Sequence, residues 1–161
     1  MAWPDTELPA SRASPMNGIA DSAVIAATIV KAIVAVLIGG AVGTSLRLAV
    51  DVVLPHGGLT FPVGTFLINL LGSFGLAVLV ARVWPSAVDW LRAGLGPGLL
   101  GSFTTFSALA VSAVELTSAG AGVEAVIYVA ASLIGGITAA VLGLRLGAPA
   151  ATAVPAIGVD E

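Results

Sequence analysis

Residues 93–114 read Ala93-Gly94-Leu95-Gly96-Pro97-Gly98-Leu99-Leu100-Gly101-Ser102-Phe103-Thr104-Thr105-Phe106-Ser107-Ala108-Leu109-Ala110-Val111-Ser112-Ala113-Val114, an uncharged run of 22 between Arg92 and Glu115. A spanning helix needs about 20 apolar residues to cross roughly 30 Å of hydrocarbon. This run has that length. At its centre, however, lies Gly101-Ser102-Phe103-Thr104-Thr105-Phe106-Ser107, a poor helix interior. Gly is flexible, and adjacent Thr and Ser hydroxyls compete with the helix for backbone hydrogen bonds. A break here would bare carbonyls at membrane depth, which is tolerated only under protein or beside a watery cavity. Such carbonyls suit a hard cation with oxygen ligands. The plain alternative is an unbroken helix whose hydroxyls bond back to carbonyls four residues earlier.

Working outward, Phe61 and Arg82 enclose 20 uncharged residues, and Glu124 and Arg145 enclose another 20. The first apolar segment runs from about Ala23 to Val50, with an uninterrupted stretch of 15 between Lys31 and Arg47. Lys31 sits near its start, where its ammonium can snorkel to the interface. Four spans follow, giving an all-α integral membrane protein. Composition agrees: charged residues are 9% of the 161-residue chain and hydrophobic residues 58%, whereas soluble domains carry about 25% charged. The 20 glycines permit close helix approach, which lipid by itself does not drive.

Residues 1–22, with Pro4, Pro9 and Pro15, read as a disordered tail; 23–146 form the transmembrane domain, and 147–161 a second tail. Asp51–Thr60 carries the turn residues Pro55, His56, Gly57 and Gly58, and Trp84 and Trp90 suit a membrane interface. Four spans place both tails and the middle link on one side. That side collects Arg12, Lys31, Arg82, Arg92 and Arg145, and the other only Arg47. The positive-inside rule then sets both termini in the cytoplasm of a multi-pass cell-membrane protein. The absence of a basic run argues against nucleic acid as a partner.

Intramembrane polar groups are costly and need reasons. Asn69, in the second span, offers two donors and an acceptor; it reads equally as dimer glue or as part of a path. Arg47 ends the first span, as an interfacial anchor or as a cation at a pore mouth. Tyr128 and Ser132 lie four apart, on one face of the fourth span. Glu115 and Glu124 flank a short loop and read as solvated. No Ser-His-acid set, metal-ligand cluster or phosphate loop is visible, so catalysis has almost no material.

In order along the chain, Gly39-Gly40-x-x-Gly43-x-x-x-Arg47, Pro62-x-Gly64-Thr65-x-x-x-Asn69-x-x-Gly72-Ser73-Phe74, Gly101-x-x-Thr104-Thr105-Phe106-Ser107 and Tyr128-x-x-x-Ser132 resemble the motifs of the CrcB/Fluc fluoride channels over roughly residues 30–145. The resemblance implies an antiparallel dual-topology dimer with a break in the third helix, two fluoride paths and a structural Na⁺ at the dimer centre. The Na⁺ maps onto the backbone carbonyls of Gly101 and Thr104. Phe106 would turn its positive ring edge to fluoride, and Asn69, Thr105, Ser107 and Tyr128 would supply donors in place of water. Arg47 and Ser132 complete the implied path. Fluoride would leave the cytoplasm passively.

The sequence departs from the family where Ser102 replaces a second Gly, where Ala108-Leu109 replaces Thr-Phe, and where Ser112 stands for a common Glu. Leucine has no quadrupole edge, so one wall of a path lacks its aromatic. With the fixed charge bias, that points to one half of a heterodimer with a paralogous chain, with a homodimer as the open alternative. Two other classes stay open: a small proton-coupled multidrug transporter, which wants an intramembrane carboxylate that the first span lacks, and a non-transporting scaffold subunit.

Overall fold

The computed structural model describes residues 15–54 and 61–148, with side chains from Ser22 onward. Every element among them is helical. Helix α1 spans Pro15–Val53 and α2 Val63–Val78, the latter continued by a π-helical turn, π1, over Leu79–Val83. Next come α3 (Asp89–Ala93), a π-helical stretch π2 (Gly94–Leu100) and α4 (Gly101–Phe103). Helices α5 (Phe106–Ser118) and α6 (Gly122–Gly147) complete the chain.

Four stretches are long and apolar enough to cross a membrane: Ser22–Val53, Val63–Val83, Asp89–Ser118 and Gly122–Gly147. They match the four spans expected from sequence, the second starting at Val63, just after Pro62. Helix α1 starts at Pro15, upstream of Ala23, with proline in its first turn where a missing N–H costs nothing. The remaining tail residues, 1–14 and 149–161, and the turn at Pro55–Gly58 lie outside the described residues.

Glycine sets the packing, with α1 seated on π2 and α2 on α6. A Cβ on Gly39 would strike the Gly94 carbonyl oxygen, and one on Gly43 the Leu99 carbonyl oxygen. On the other pair, a Cβ on Gly143 would lie 2.7 Å from Ala77 Cβ, and one on Gly147 2.9 Å from Ala81 Cβ. Backbones touch directly along both seams, the close approach that small residues allow. Pro97 lies within π2. It has no N–H for the helical ladder, so the widened turn there avoids a lost bond.

The π1–α3 link is held by Arg92, whose Nε and Nη2 donate to the Trp84 carbonyl at 3.1 and 2.7 Å. Its Nη1 donates to Asp89 at 3.3 Å. A small core of Leu109, Leu116, Ala125 and Tyr128 joins α5 to α6. Outward faces are apolar, as lipid or a second chain requires: Val24, Leu37, Ile38, Ile134 and Ile137 are all exposed.

Candidate functional site

Two residues, Thr104 and Thr105, leave the helical conformation between α4 and α5. Thr104 has ψ 155° and Thr105 has φ −150°, ψ 118°, both extended. The hydroxyl chemistry expected to compete with the helix is present on both sides. Thr104 donates through N–H and through Oγ1 to the Leu100 carbonyl, each at 2.9 Å, closing the upstream helix. Thr105 Oγ1 accepts from Ala108 N–H at 3.2 Å, which caps the start of α5. Thr105 Oγ1 also lies 3.0 Å from Ser107 Oγ.

Asn69 supports this segment from α2. Its Nδ2 donates to the Thr105 carbonyl at 2.9 Å, and its Oδ1 accepts from Thr105 N–H at 2.8 Å. The amide therefore meets the extended backbone as a neighbouring strand would. In an unbroken helix, Thr105 N–H would donate to Gly101, four residues back. Asn69 takes that donor, and the extended ψ of Thr104 turns its own carbonyl out of the ladder. With Thr105 N–H on Asn69 and Ala108 N–H on Thr105 Oγ1, the carbonyls of Gly101 and Thr104 are among those that lose the donors of an unbroken helix, and carbonyl oxygens are of the kind that would fit a hard cation.

Two cavities meet at Thr105. One, of about 600 Å³, is lined by Asn69, Gly101, Thr104, Thr105, Phe106, Leu109 and Ser132 among others. The second, of about 360 Å³, is lined by Arg47, Asp51, Thr65, Thr105, Ser107, Ser112 and Glu115 with two apolar neighbours. Of the candidate site residues named from sequence, Asn69, Gly101, Thr104, Phe106 and Ser132 line the first cavity and Arg47 and Ser107 the second, with Thr105 common to both.

Tyr128 is placed differently. It is wholly buried and packs edge-on against Phe61, with ring centroids 5.2 Å apart. Its hydroxyl lies beside Ser112 and Thr65 but completes no hydrogen bond. Ser132 Oγ is likewise buried without a partner. Phe106 is 76% exposed, so within one chain its ring faces outward. Leu109, by contrast, is buried in the α5–α6 core.

Sequence reading passed over Thr65, Asp51 and Glu115 as site residues. The signals were spacing: Thr65 precedes Asn69 by one helical turn and Asp51 follows Arg47 by one, which puts each on its neighbour's face. Ser112 and Glu115 are one turn apart on α5 and face the same cavity.

The sequence matches the family described as CrcB-like protein, Camphor Resistance (CrcB), over residues 34–144. It is 45% identical over 126 residues to the fluoride-specific ion channel FluC 2 of Halalkalibacterium halodurans, across 76% of this chain and 90% of that one. It is 36% identical over 118 residues to the fluoride-specific ion channel FluC of Chloroflexus aurantiacus, across 71% and 94%. With the FluC of Allorhizobium ampelinum it shares 44% over 121 residues, across 73% and 96%.

Proposed function

The chain belongs to the CrcB-like protein family, and we propose that it is a subunit of a fluoride-selective channel that lowers cytoplasmic fluoride by passive export. The observation that carries this is the extended Thr104–Thr105 segment, held by Asn69 at the junction of two cavities. The relatives named as fluoride-specific channels support the choice of ion.

Fluoride is small and strongly hydrated, so a selective path must replace its water with closely spaced donors. Asn69, Thr105, Ser107 and Ser132 carry N–H or O–H groups along the two cavities, and Ser132 has its oxygen buried and unpartnered. Phe106 adds the positive edge of its ring. Arg47 lines the second cavity, where its cation would attract an anion. Tyr128 enters through Thr65 and Ser112, which line that cavity and adjoin its hydroxyl.

In this reading the break in the third span faces a second chain. The exposed Phe106 supports this, because a ring serving an ion path needs a wall opposite it. Packed antiparallel, two chains would bring their released carbonyls of Gly101 and Thr104 together, and those would hold a structural Na⁺. Its charge would join the breaks; the side chains alone would handle fluoride.

The charge distribution supports one fixed orientation. Lys31, Arg82, Arg92 and Arg145 lie at the end opposite Arg47, and the positive-inside rule puts that end in the cytoplasm. A chain fixed in this way pairs antiparallel only with a different chain, so the assembly is a heterodimer with a paralogue. Leu109 supports this too, since the partner can supply an aromatic that this chain lacks.

Fluoride efflux from liposomes, read with a fluoride electrode, tests the proposal. The chain is reconstituted alone and with a paralogous partner. Fluoride-selective efflux from the pair, and little from the single chain, is expected. Robust efflux from the single chain would remove the heterodimer. No efflux from either, in folded protein, would remove the channel.

A further inference from the structure

Asn69 and Gly72 lie three apart on α2, hence on one face of that helix. Asn69 takes both backbone groups of Thr105. Gly72 takes the side chain of the residue before it: a Cβ built on Gly72 would overlap Thr104 Cγ2. The same point lies 3.5 Å from Phe103 Cδ1, so the Phe103 ring closes one side of the notch. Gly72 is buried inside α2 and does not have a positive φ, so no turn or helix end calls for glycine there. Glycine weakens a helix interior relative to alanine, and its presence here needs a packing reason.

The Thr104 methyl cannot simply swing aside. Threonine is β-branched, so one rotation about χ1 moves methyl and hydroxyl together. The hydroxyl is held on the Leu100 carbonyl at 2.9 Å. A rotation that clears Cγ2 from Gly72 takes Oγ1 off that carbonyl. A shift of the whole residue instead displaces the Thr104 carbonyl and draws Thr105 away from Asn69.

We infer that Gly72 is a positioning residue for the break: its missing side chain leaves the notch that seats the Thr104 methyl, and this seat, with the Asn69 pair, fixes where the extended Thr104–Thr105 segment stands. That the seat thereby sets the ion path rests on the channel reading above. The two contacts are complementary. Asn69 orients the Thr105 peptide through directional hydrogen bonds, and the notch fixes how closely Thr104 approaches α2. Two adjacent residues held at two points of one helix face leave the segment little freedom to drift.

The experiment adds Gly72→Ala to the parent and to the Thr104→Ser variant. Serine keeps the hydroxyl for the Leu100 carbonyl and lacks only the methyl. Two quantities are read: fluoride flux per folded assembly in liposomes, and hydrogen exchange of the Thr105 amide by NMR, which reports its bond to Asn69 whether or not the protein conducts. In the parent, Gly72→Ala should lower flux and speed Thr105 exchange, each by about ten- to hundredfold. In the Thr104→Ser background the same change should move both by less than about threefold, because the atom it strikes is gone. Gly75→Ala, on the same helix, meets only Leu100 Cδ2 at 3.8 Å and should leave both quantities unchanged. If Gly72→Ala fails to fold, rescue of folding by Thr104→Ser supports the seat, and no rescue overturns it. Parent-like flux and exchange in Gly72→Ala overturn it too, as does an equal loss in both backgrounds or from Gly75→Ala. Faster exchange with undiminished flux overturns the role of the seat in the path. No flux from the parent overturns the channel reading, while the exchange data still decide whether Gly72 positions the break.

Discussion

Asn69 and Thr105 are joined by two hydrogen bonds, at 2.9 and 2.8 Å, across 36 positions of sequence. One side-chain amide thus satisfies both backbone groups of a residue that has left its helix. In a membrane those groups have no water to turn to, so the pairing is a condition of the break. Asn69→Asp keeps the acceptor for Thr105 N–H but sets an oxygen against the Thr105 carbonyl. A donor lost at a half-buried site costs about 1–3 kcal/mol. Thermal unfolding in detergent should show that loss, and fluoride flux should disappear. A variant as stable as the parent and fully conducting would mean that the pairing matters to neither.

Phe106 is predicted to behave in the opposite way. With its ring 76% exposed, Phe106→Ile removes little packing within the chain. Stability of the fold should change by less than about 0.5 kcal/mol, as for surface substitutions. Flux should nevertheless be abolished, because isoleucine offers no positive edge to an anion. Retained flux would remove the aromatic from the path.

The contrast between these residues marks what the sequence could disclose. Span number and span limits follow from apolar length, which the bilayer enforces, and the four apolar runs are found within the four helices. Thr104 and Thr105 announced a weak point through their hydroxyls. The partner of that weak point was not legible: nothing in the spacing of Asn69 tells whether its amide turns to a helix, an ion or a backbone. Tyr128 and Ser132 share a helical face, yet only packing could reveal that one lies in the α5–α6 core and the other at a cavity. Asp51 and Glu115 looked like loop-edge charges because a cavity shared by two helices has no sequence period.

The α1–π2 seam gives a prediction about stability alone. In a helix interior Gly→Ala gains about 1 kcal/mol from propensity. At Gly43 the added carbon would strike the Leu99 carbonyl oxygen and come within 3.1 Å of the Phe103 nitrogen. These are backbone atoms and cannot swing aside, so overpacking of about 1–3 kcal/mol should outweigh the gain. Gly122→Ala meets nothing within 4 Å and should be neutral or slightly stabilising. Unfolding midpoints of the two variants, measured side by side, check the ordering. A Gly43→Ala protein more stable than Gly122→Ala would show that the seam is looser than described.

Tyr128→Phe separates packing from chemistry. The ring is wholly buried against Phe61, and phenylalanine keeps that contact. The hydroxyl completes no hydrogen bond within the chain, so its removal strips out a polar group already desolvated. Such a change is expected to be neutral or to stabilise by up to about 1–3 kcal/mol. If the hydroxyl serves the ion path through Thr65 and Ser112, flux should fall while the unfolding midpoint holds or rises. If Tyr128 is only a core residue, both stay level. A midpoint that falls would mean that the hydroxyl is held by a partner chain in the assembly, and its loss should then also weaken the dimer on size-exclusion chromatography.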